Sequence, residues 1–475
     1  MHTWSEMGLR VPDIMLPKAG TDMEKWAVIA CDQYTSEPEY WEKAEEFVGD
    51  APSTLRLMLP EYYLGKPEEA ARTREIRKSM ETYLSDGTLE ELPAGCILVK
   101  RISPGYSGTR TRYGLVIAVD LEAYDYSKGS TSLIRATEKT IVERIPPRLV
   151  IRRGAPVELP HIIILIDDPE KTVIEPLAAK AAKAEESFRV NCQTTQVNCQ
   201  VPGTRQFGEV IRQFEGGSGI RRVYDTDLML GGGHVVGTFI PAEEMEEARE
   251  AFSNLFDMAG DKYGAGKELL MAMGDGNHSL ATAKAAWEEI KKGLSPEERA
   301  NHPARFALCE IENVHDEGII FAPIHRVMFG DGKLSGEEIV VKTVEILRKQ
   351  NKDAHLASDG AGSEGSYEIP VIYGGVRKTL VIEDPASGLE VGALQNALDV
   401  LVKEDGIRID YIHGHAAVEQ LASDRGNAGF LLPSMDKFRL FPAVAKDGAL
   451  PRKTFSMGHA QEKRYYLEAR KLTLF

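Results

Sequence analysis

Positive charge is scarce in this 475-residue chain: 57 lysines and arginines stand against 73 acids, a formal net charge of −16 at pH 7. So acidic a body repels nucleic-acid backbones, which excludes DNA or RNA as the main partner. Cysteines are few. The five, Cys31, Cys96, Cys192, Cys199 and Cys309, are odd in number and widely scattered. That excludes a disulfide framework and suits buried thiols in a reducing cytoplasm. The step from Cys192 to Cys199 is not a zinc spacing. No apolar run reaches about twenty residues, so no membrane span is expected. The opening MHTWSEMGLRVPDIMLPKAG lacks the basic-then-apolar order of a secretory signal. There is no repeat of fixed period, and the glycine-rich stretch at 274–279 is neither a Walker loop nor the spaced dinucleotide fingerprint.

What is present suits a globular protein: 43% of residues are hydrophobic and 27% charged. Strand and helix patterns alternate. GCILVKRI (95–102) and YGLVIAVDL (113–121) read as adjacent strands, and HIIILIDD (161–168) as another, followed by an alanine-rich helix. HVVGTFI leads into a helix with Met245, Ala248, Phe252 and Leu255 on its buried face. RFALCEIENV (305–314) is a further strand, and YEIPVIYGG with RKTLVIED reads as a hairpin. Hairpins beside strand–helix alternation predict an α/β fold with a mixed sheet and flanking helices. Breaks at YDYSKGSTS and before SDGAGSEGS suggest three regions. These are an N-terminal α/β region (1–130), a phosphate- or nucleotide-binding core (131–345) and a C-terminal α/β region with a closing tail (346–475).

The most informative stretch is ELLMAMGDGNHSLATAKAAWEEI (268–290). An apolar run stops at Gly274 and Gly276, shows Asp275, Asn277 and His278, then turns helical near Ser279, with Leu280, Ala283, Trp287 and Ile290 on one face. A strand, a glycine turn and a helix start gather backbone N–H groups at the positive end of a helix dipole, which favours phosphate or carboxylate. Asp275 and His278 stand at its edge for acid–base work or a metal. The same residues also make an ordinary helix cap, and the stretch alone does not choose between the two.

A second feature is IRATEKTIVERIPPRLVIRRG (134–154), with Arg135, Glu138, Thr140, Arg144 and Arg148. Guanidinium groups grip phosphate through paired hydrogen bonds, and Glu138 is placed to orient one or act as a base. If the segment is helical up to Pro146-Pro147, Arg135, Glu138 and Arg144 share a face. A solvated helix with surface ion pairs is the plainer alternative. Asp168 reads better as a helix cap than as a Mg²⁺ ligand. YDTDLMLGGGHVVG (224–237) is either an anion loop or a tight turn. His325 and Arg326, then His413 and His415, follow strand-like runs, and Arg452, Lys453, Thr454, Lys463 and Arg464 make the C-terminal tail basic. That tail either closes over an anion or forms a charged face.

In order along the chain, RATEKTIVERIPPR, HIIILIDDPEKTVIEPL, GDGNHSLATAKAAWE, PIHRV and LPRKTFSMG resemble the domain of unknown function 1015 family. Many members carry Asp-Gly-His-His-Arg at the corner. This chain has Asp275-Gly276-Asn277-His278-Ser279, without the arginine. The corner is also similar to that of the ParB-like superfamily, which includes nucleotide-binding partition proteins and a free serine kinase. The resemblance implies a ParB-like phosphate-binding core and phosphoryl chemistry on serine or O-phosphoserine, with ADP or ATP and Mg²⁺ as cofactors. On that reading Asp275, His278 and Glu138 do acid–base or metal work. Phosphate or nucleotide is held by Arg135, Thr140, Arg144, Arg148, Gly274, Gly276, Asn277, Ser279, His325, Arg326, Lys453 and Thr454. The expected partner is a small phosphorylated substrate in the cytoplasm, with neither nucleic acid nor membrane, and oligomeric state is left open. The alternatives are a metal-dependent hydrolase built on His278, His325, His413 and His415, and a nucleotide-binding regulator without turnover.

Overall fold

Valine and isoleucine are stiff at χ1 and pack well on a pleated surface, so the two apolar runs near residue 100 extend and pair. They become two long antiparallel strands with Ile97 opposite Val116. The computed structural model describes residues 1–105, 108–127, 129–140, 145–194, 219–358 and 362–473. These fall into two compact units, 1–320 with 457–475, and 321–456. The compositional break near 130 lies within the first unit and that near 346 within the second.

Among the described residues, ten strands of the first unit share one mixed sheet. They are β1 (Leu9–Arg10), β2 (Gly95–Gly105), β3 (Gly108–Asp120), β4 (Tyr124–Asp125) and β5 (Ile134–Arg135). Next come β6 (Ile163–Ile166), β7 (Arg221–Leu228), β8 (Gly233–Pro241), β9 (Met271–Asp275) and β10 (Phe306–Asn313). The order is β7-β8-β2-β3-β10-β6-β9-β5-β4, with β1 beside β3. The β6–β10, β5–β9 and β4–β5 pairs are parallel, while β6–β9 is antiparallel. The fold is mixed α/β, as the alternation predicts.

Both faces of the sheet are covered. On one lie α2 (Ile174–Thr194), α3 (Glu246–Tyr263) and α4 (Asn277–Ile290), the last preceded in the chain by α1 (Ile145–Arg152). Met245, Ala248, Phe252 and Leu255 are buried, as are Leu280, Ala283 and Trp287. Ile290 is 40% exposed because α4 ends there. On the other face Trp41, Val28, Tyr465 and Tyr466 pack against Ile97, Val116 and Phe239, so the C-terminal stretch belongs to this core.

Asp168 closes the turn into α2. Its carboxylate accepts from the N–H groups of Thr172 (2.6 Å) and Val173 (2.9 Å). Asp168→Ala leaves those donors without this acceptor and should cost about 1 kcal/mol, read as a lower urea midpoint. An unchanged midpoint would mean the turn stands without its cap.

Pro146 and Pro147 correct the conditional reading of the arginine segment. They fall in the first turn of α1, which proline suits because its missing N–H has no partner to lose there. Arg135 is on β5 and residues 136–140 after it are not helical, so Arg135 and Glu138 do not share a helical face.

Among the described residues, the second unit carries a six-stranded antiparallel sheet. Its strands are β11 (His325–Phe329), β12 (Asp353–Ala357), β13 (Tyr367–Tyr373), β14 (Val376–Glu383), β15 (Arg408–Ile412) and β16 (Asn427–Phe430). The expected hairpin is β13–β14. It turns on Gly374 and Gly375, both at positive φ (52° and 82°), which a two-residue turn with the right twist requires. Helices α5 (Gly336–Gln350), α6 (Glu390–Asp405) and α7 (His415–Ala422) pack on the sheet.

Candidate active site

Strand β9 ends at Asp275, and the β6 register puts Ile163 opposite it. The residues just before β6 therefore flank the turn into α4. Gly276 caps α4 at φ 80°, a left-handed conformation that costs other residues. A Cβ on Gly274 would stand 2.6 Å from the Met457 sulfur, so glycine there lets the C-terminal stretch approach the corner.

Two residues of the corner are gripped by distant side chains. Ser279 Oγ lies 2.7 Å from His161 Nε2. Asp275 Oδ2 lies 3.1 Å from Lys463 Nζ, and Lys463 is buried. The other nitrogen of His161 meets Tyr466 Oη at 3.0 Å, and that oxygen accepts from the Cys31 N–H at 3.3 Å. Burial holds the His161 imidazole below its ordinary pKa, although Asp32 and Asp275 pull the other way, so the ring is neutral at pH 7. Burial also pushes Asp32 up, but His161, the Gln33 amide, Lys463 and Arg148 outweigh it and hold the carboxyl low. Asp32 is thus a carboxylate facing an imidazole and two cations.

Behind the corner stands a buried charge network. Glu310 and Glu312 alternate on β10, so both point to one face. Arg464 Nε lies 2.7 Å from Glu310, its Nη2 2.8 Å from Glu468, and its Nη1 donates to the Pro160 carbonyl at 2.9 Å. Arg112 Nε lies 2.6 Å from Glu312, and Arg112 also donates to the Glu462 carbonyl at 2.9 Å. Gly114 makes the room: a Cβ there would meet Glu310 Oε1 at 2.2 Å. Burial pushes Glu312 up to about 8, the Glu310 charge adds to that, and Arg112 only partly opposes it.

The family model described as "Protein of unknown function (DUF1015)" matches residues 15–471. The chain belongs to that family. No curated protein matches this DUF1015 member. Among solved structures it is similar to a conserved hypothetical protein from Pyrococcus furiosus at 11% identity and TM-score 0.34, covering 76% of this chain and 95% of that one. It is also similar to free serine kinase in complex with AMP at 11% identity and TM-score 0.36, covering 75% and 92%. SbnI with a C-terminal truncation from Staphylococcus aureus follows at 8% and 0.25, covering 47% and 75%. Overlaps this loose give no residue a role.

The expected site residues are distributed as follows. Gly274, Asp275, Gly276, Asn277, His278 and Ser279 form the corner. Arg148 faces Asp32 and His161 and pairs with Glu61. Arg135 is buried and donates to the carbonyls of Ser132 (2.8 Å) and Lys267 (2.6 Å), which ties β5 to the loop before β9. Glu138 is half-buried and Thr140 buried. Arg144 lies outside the described residues, as does Cys199.

His325, Arg326, Lys453 and Thr454 belong to the second unit. His325 is buried, accepts the Leu432 N–H at 3.1 Å and is pushed down to about 4 by burial, with His415, Arg326 and His413 adding to it. Arg326, also buried, donates to Gln395 Oε1 (2.9 Å) and the Arg452 carbonyl (3.1 Å). Lys453 sits at φ 58°, and the Thr454 hydroxyl donates to the Pro451 carbonyl at 2.6 Å.

Among the described residues, no group of three or more His, Cys, Asp or Glu side chains is arranged to hold a metal ion. No helix among them is long and apolar enough to cross a membrane. Asp225 and Asp227 hold the two nitrogens of His234, each at 2.8 Å, across the β7–β8 hairpin, so that stretch is a turn between strands. Sequence reasoning missed His161, Asp32 and Tyr466. Only His161 left a signal, a histidine heading an apolar strand.

Proposed function

We propose that the corner is the phosphoryl site of a small-molecule phosphotransferase or phosphohydrolase acting on serine, O-phosphoserine or a similar hydroxy-amino acid phosphate. One observation carries this reading. Asp275 and Ser279, on either side of the α4 N-terminus, are each held by a side chain from far along the chain, Lys463 and His161. A helix cap needs neither.

The first turn of α4 offers N–H groups and the positive dipole end to a phosphate. Lys463 and Arg148 supply positive charge, and Asp275 or Asp32 takes a hydroxyl proton. Phosphoryl transfer asks for little more than positioning and charge neutralisation. A nucleotide phosphate fits the same N–H groups. With no protein-only metal cluster among the described residues, Mg²⁺ would rest on Asp275 or Asp32 and on phosphate oxygens, where it offsets phosphate charge.

The test is phosphate release from O-phosphoserine, and serine phosphorylation by ATP or ADP, each with Mg²⁺. Asp275→Asn should lower the active direction about a hundredfold, or ~2.7 kcal/mol. A wild type inert in both directions, or a variant as fast as wild type, rejects the assignment.

A further inference from the structure

We infer that Ser279 is itself a nucleophile, accepting a phosphoryl group on Oγ with His161 as its base. This rests on the phosphoryl reading above and goes beyond it by making the reaction two covalent steps, with His161 as the proton carrier in place of Asp275 or Asp32.

The geometry is that of an activated hydroxyl. Ser279 Oγ and His161 Nε2 are 2.7 Å apart, within reach for proton transfer. The imidazole is oriented from its far side by Tyr466, with ring centroids 5.3 Å apart and the rings nearly perpendicular at 79°. Tyr466 is anchored in turn by the Cys31 N–H and by strand pairing with Val28. With the Nδ1 proton donated to Tyr466 Oη, Nε2 presents its lone pair to Ser279. Burial keeps the ring neutral, and Asp32 and Asp275 both favour its protonated form, so the imidazolium is stabilised once it arises. Ser279 is the third residue of α4, where the helix dipole favours an alkoxide and then a phosphoserine dianion. A serine serving only to tie α4 to the stretch before β6 would not need an imidazole oriented in this way.

The steps balance. The Ser279 O–H bond breaks and its proton passes to His161 Nε2 as Oγ bonds to phosphorus. The bond from phosphorus to the leaving oxygen breaks, and that oxygen takes the proton back. Water or an acceptor hydroxyl then attacks the phosphoserine, giving its proton to His161. Ser279 departs with that proton, restoring the starting state.

A fluorophosphonate tests this without knowledge of the substrate, because such reagents phosphonylate histidine-activated serines and release fluoride. The full chain should carry the adduct on Ser279 by peptide mass spectrometry, and Ser279→Ala should abolish it. His161→Gln should slow labelling about a hundredfold. Tyr466→Phe keeps the ring but removes its partner, and should slow labelling about tenfold; it guards against a misfolded His161 variant. No adduct at Ser279 in wild type, or labelling unchanged in both variants, overturns the inference. The two readings fail separately. Phosphate release that survives Ser279→Ala removes the nucleophile and leaves the phosphoryl site. An adduct without phosphoryl turnover upholds the nucleophile and removes the substrate class.

Discussion

Arg464→Met is expected to cost about 3–5 kcal/mol at pH 8, the usual penalty for stranding a buried charge by removing its partner. Arg464 is 3% exposed and holds two carboxylates, Glu310 at 2.7 Å and Glu468 at 2.8 Å, themselves almost wholly buried. Tyr224 donates to Glu468 at 2.5 Å, which satisfies one oxygen but supplies no charge. Methionine fills much the same space, so the loss is electrostatic and not a cavity effect. Adding Glu310→Gln and Glu468→Gln should recover most of the loss at pH 8. Urea unfolding at pH 8 decides it, and a cost under about 1 kcal/mol contradicts the buried-charge account.

The regular elements were legible because each is written locally. Alternating apolar residues gave β2, β3, β8 and the β13–β14 hairpin. The switch to helical spacing after Gly276 placed α4 within two residues of its observed start at Asn277. The corner was legible too, since a strand, two glycines and a helix start lie in one stretch. What holds it was not, because Lys463, His161 and Tyr466 arrive through topology. The arginine segment shows the limit clearly. Residue spacing cannot say that Arg152 meets Glu158, that Arg153 meets Glu289 or that Arg135 is spent on carbonyls. Nor does composition say that Arg464, in a tail rich in cations, is buried against two acids. The acids at alternate positions in ALCEIENV were a second overlooked signal, beside the histidine that heads HIIILIDD. Two carboxylates facing the same way on an apolar strand must find cations or hold a proton.

Glu312 is expected to hold that proton, which makes stability fall as pH rises. Its folded pKa is pushed up to about 8 from an ordinary 4.5. A raised folded pKa means the contribution is complete below the unfolded value, near 4.5, and is lost as pH climbs through about 8. Four faces of the environment bear on it: burial and the Glu310 and Asp316 charges favour the neutral form, while Arg112 opposes them. Glu312→Gln keeps the shape and never ionises. Its stability measured between pH 5 and pH 9 should decline less than that of wild type, by a few kcal/mol at full effect. Contributions from other titrating groups are common to both proteins and drop out of the difference. Parallel stability curves would show that Arg112, 2.6 Å away, keeps Glu312 ionised. Glu310→Gln then separates the two causes of the shift. If the neighbouring charge matters, removing it lets Glu312 ionise earlier and the decline ends at lower pH; if burial alone sets the pKa, the midpoint stays where it was.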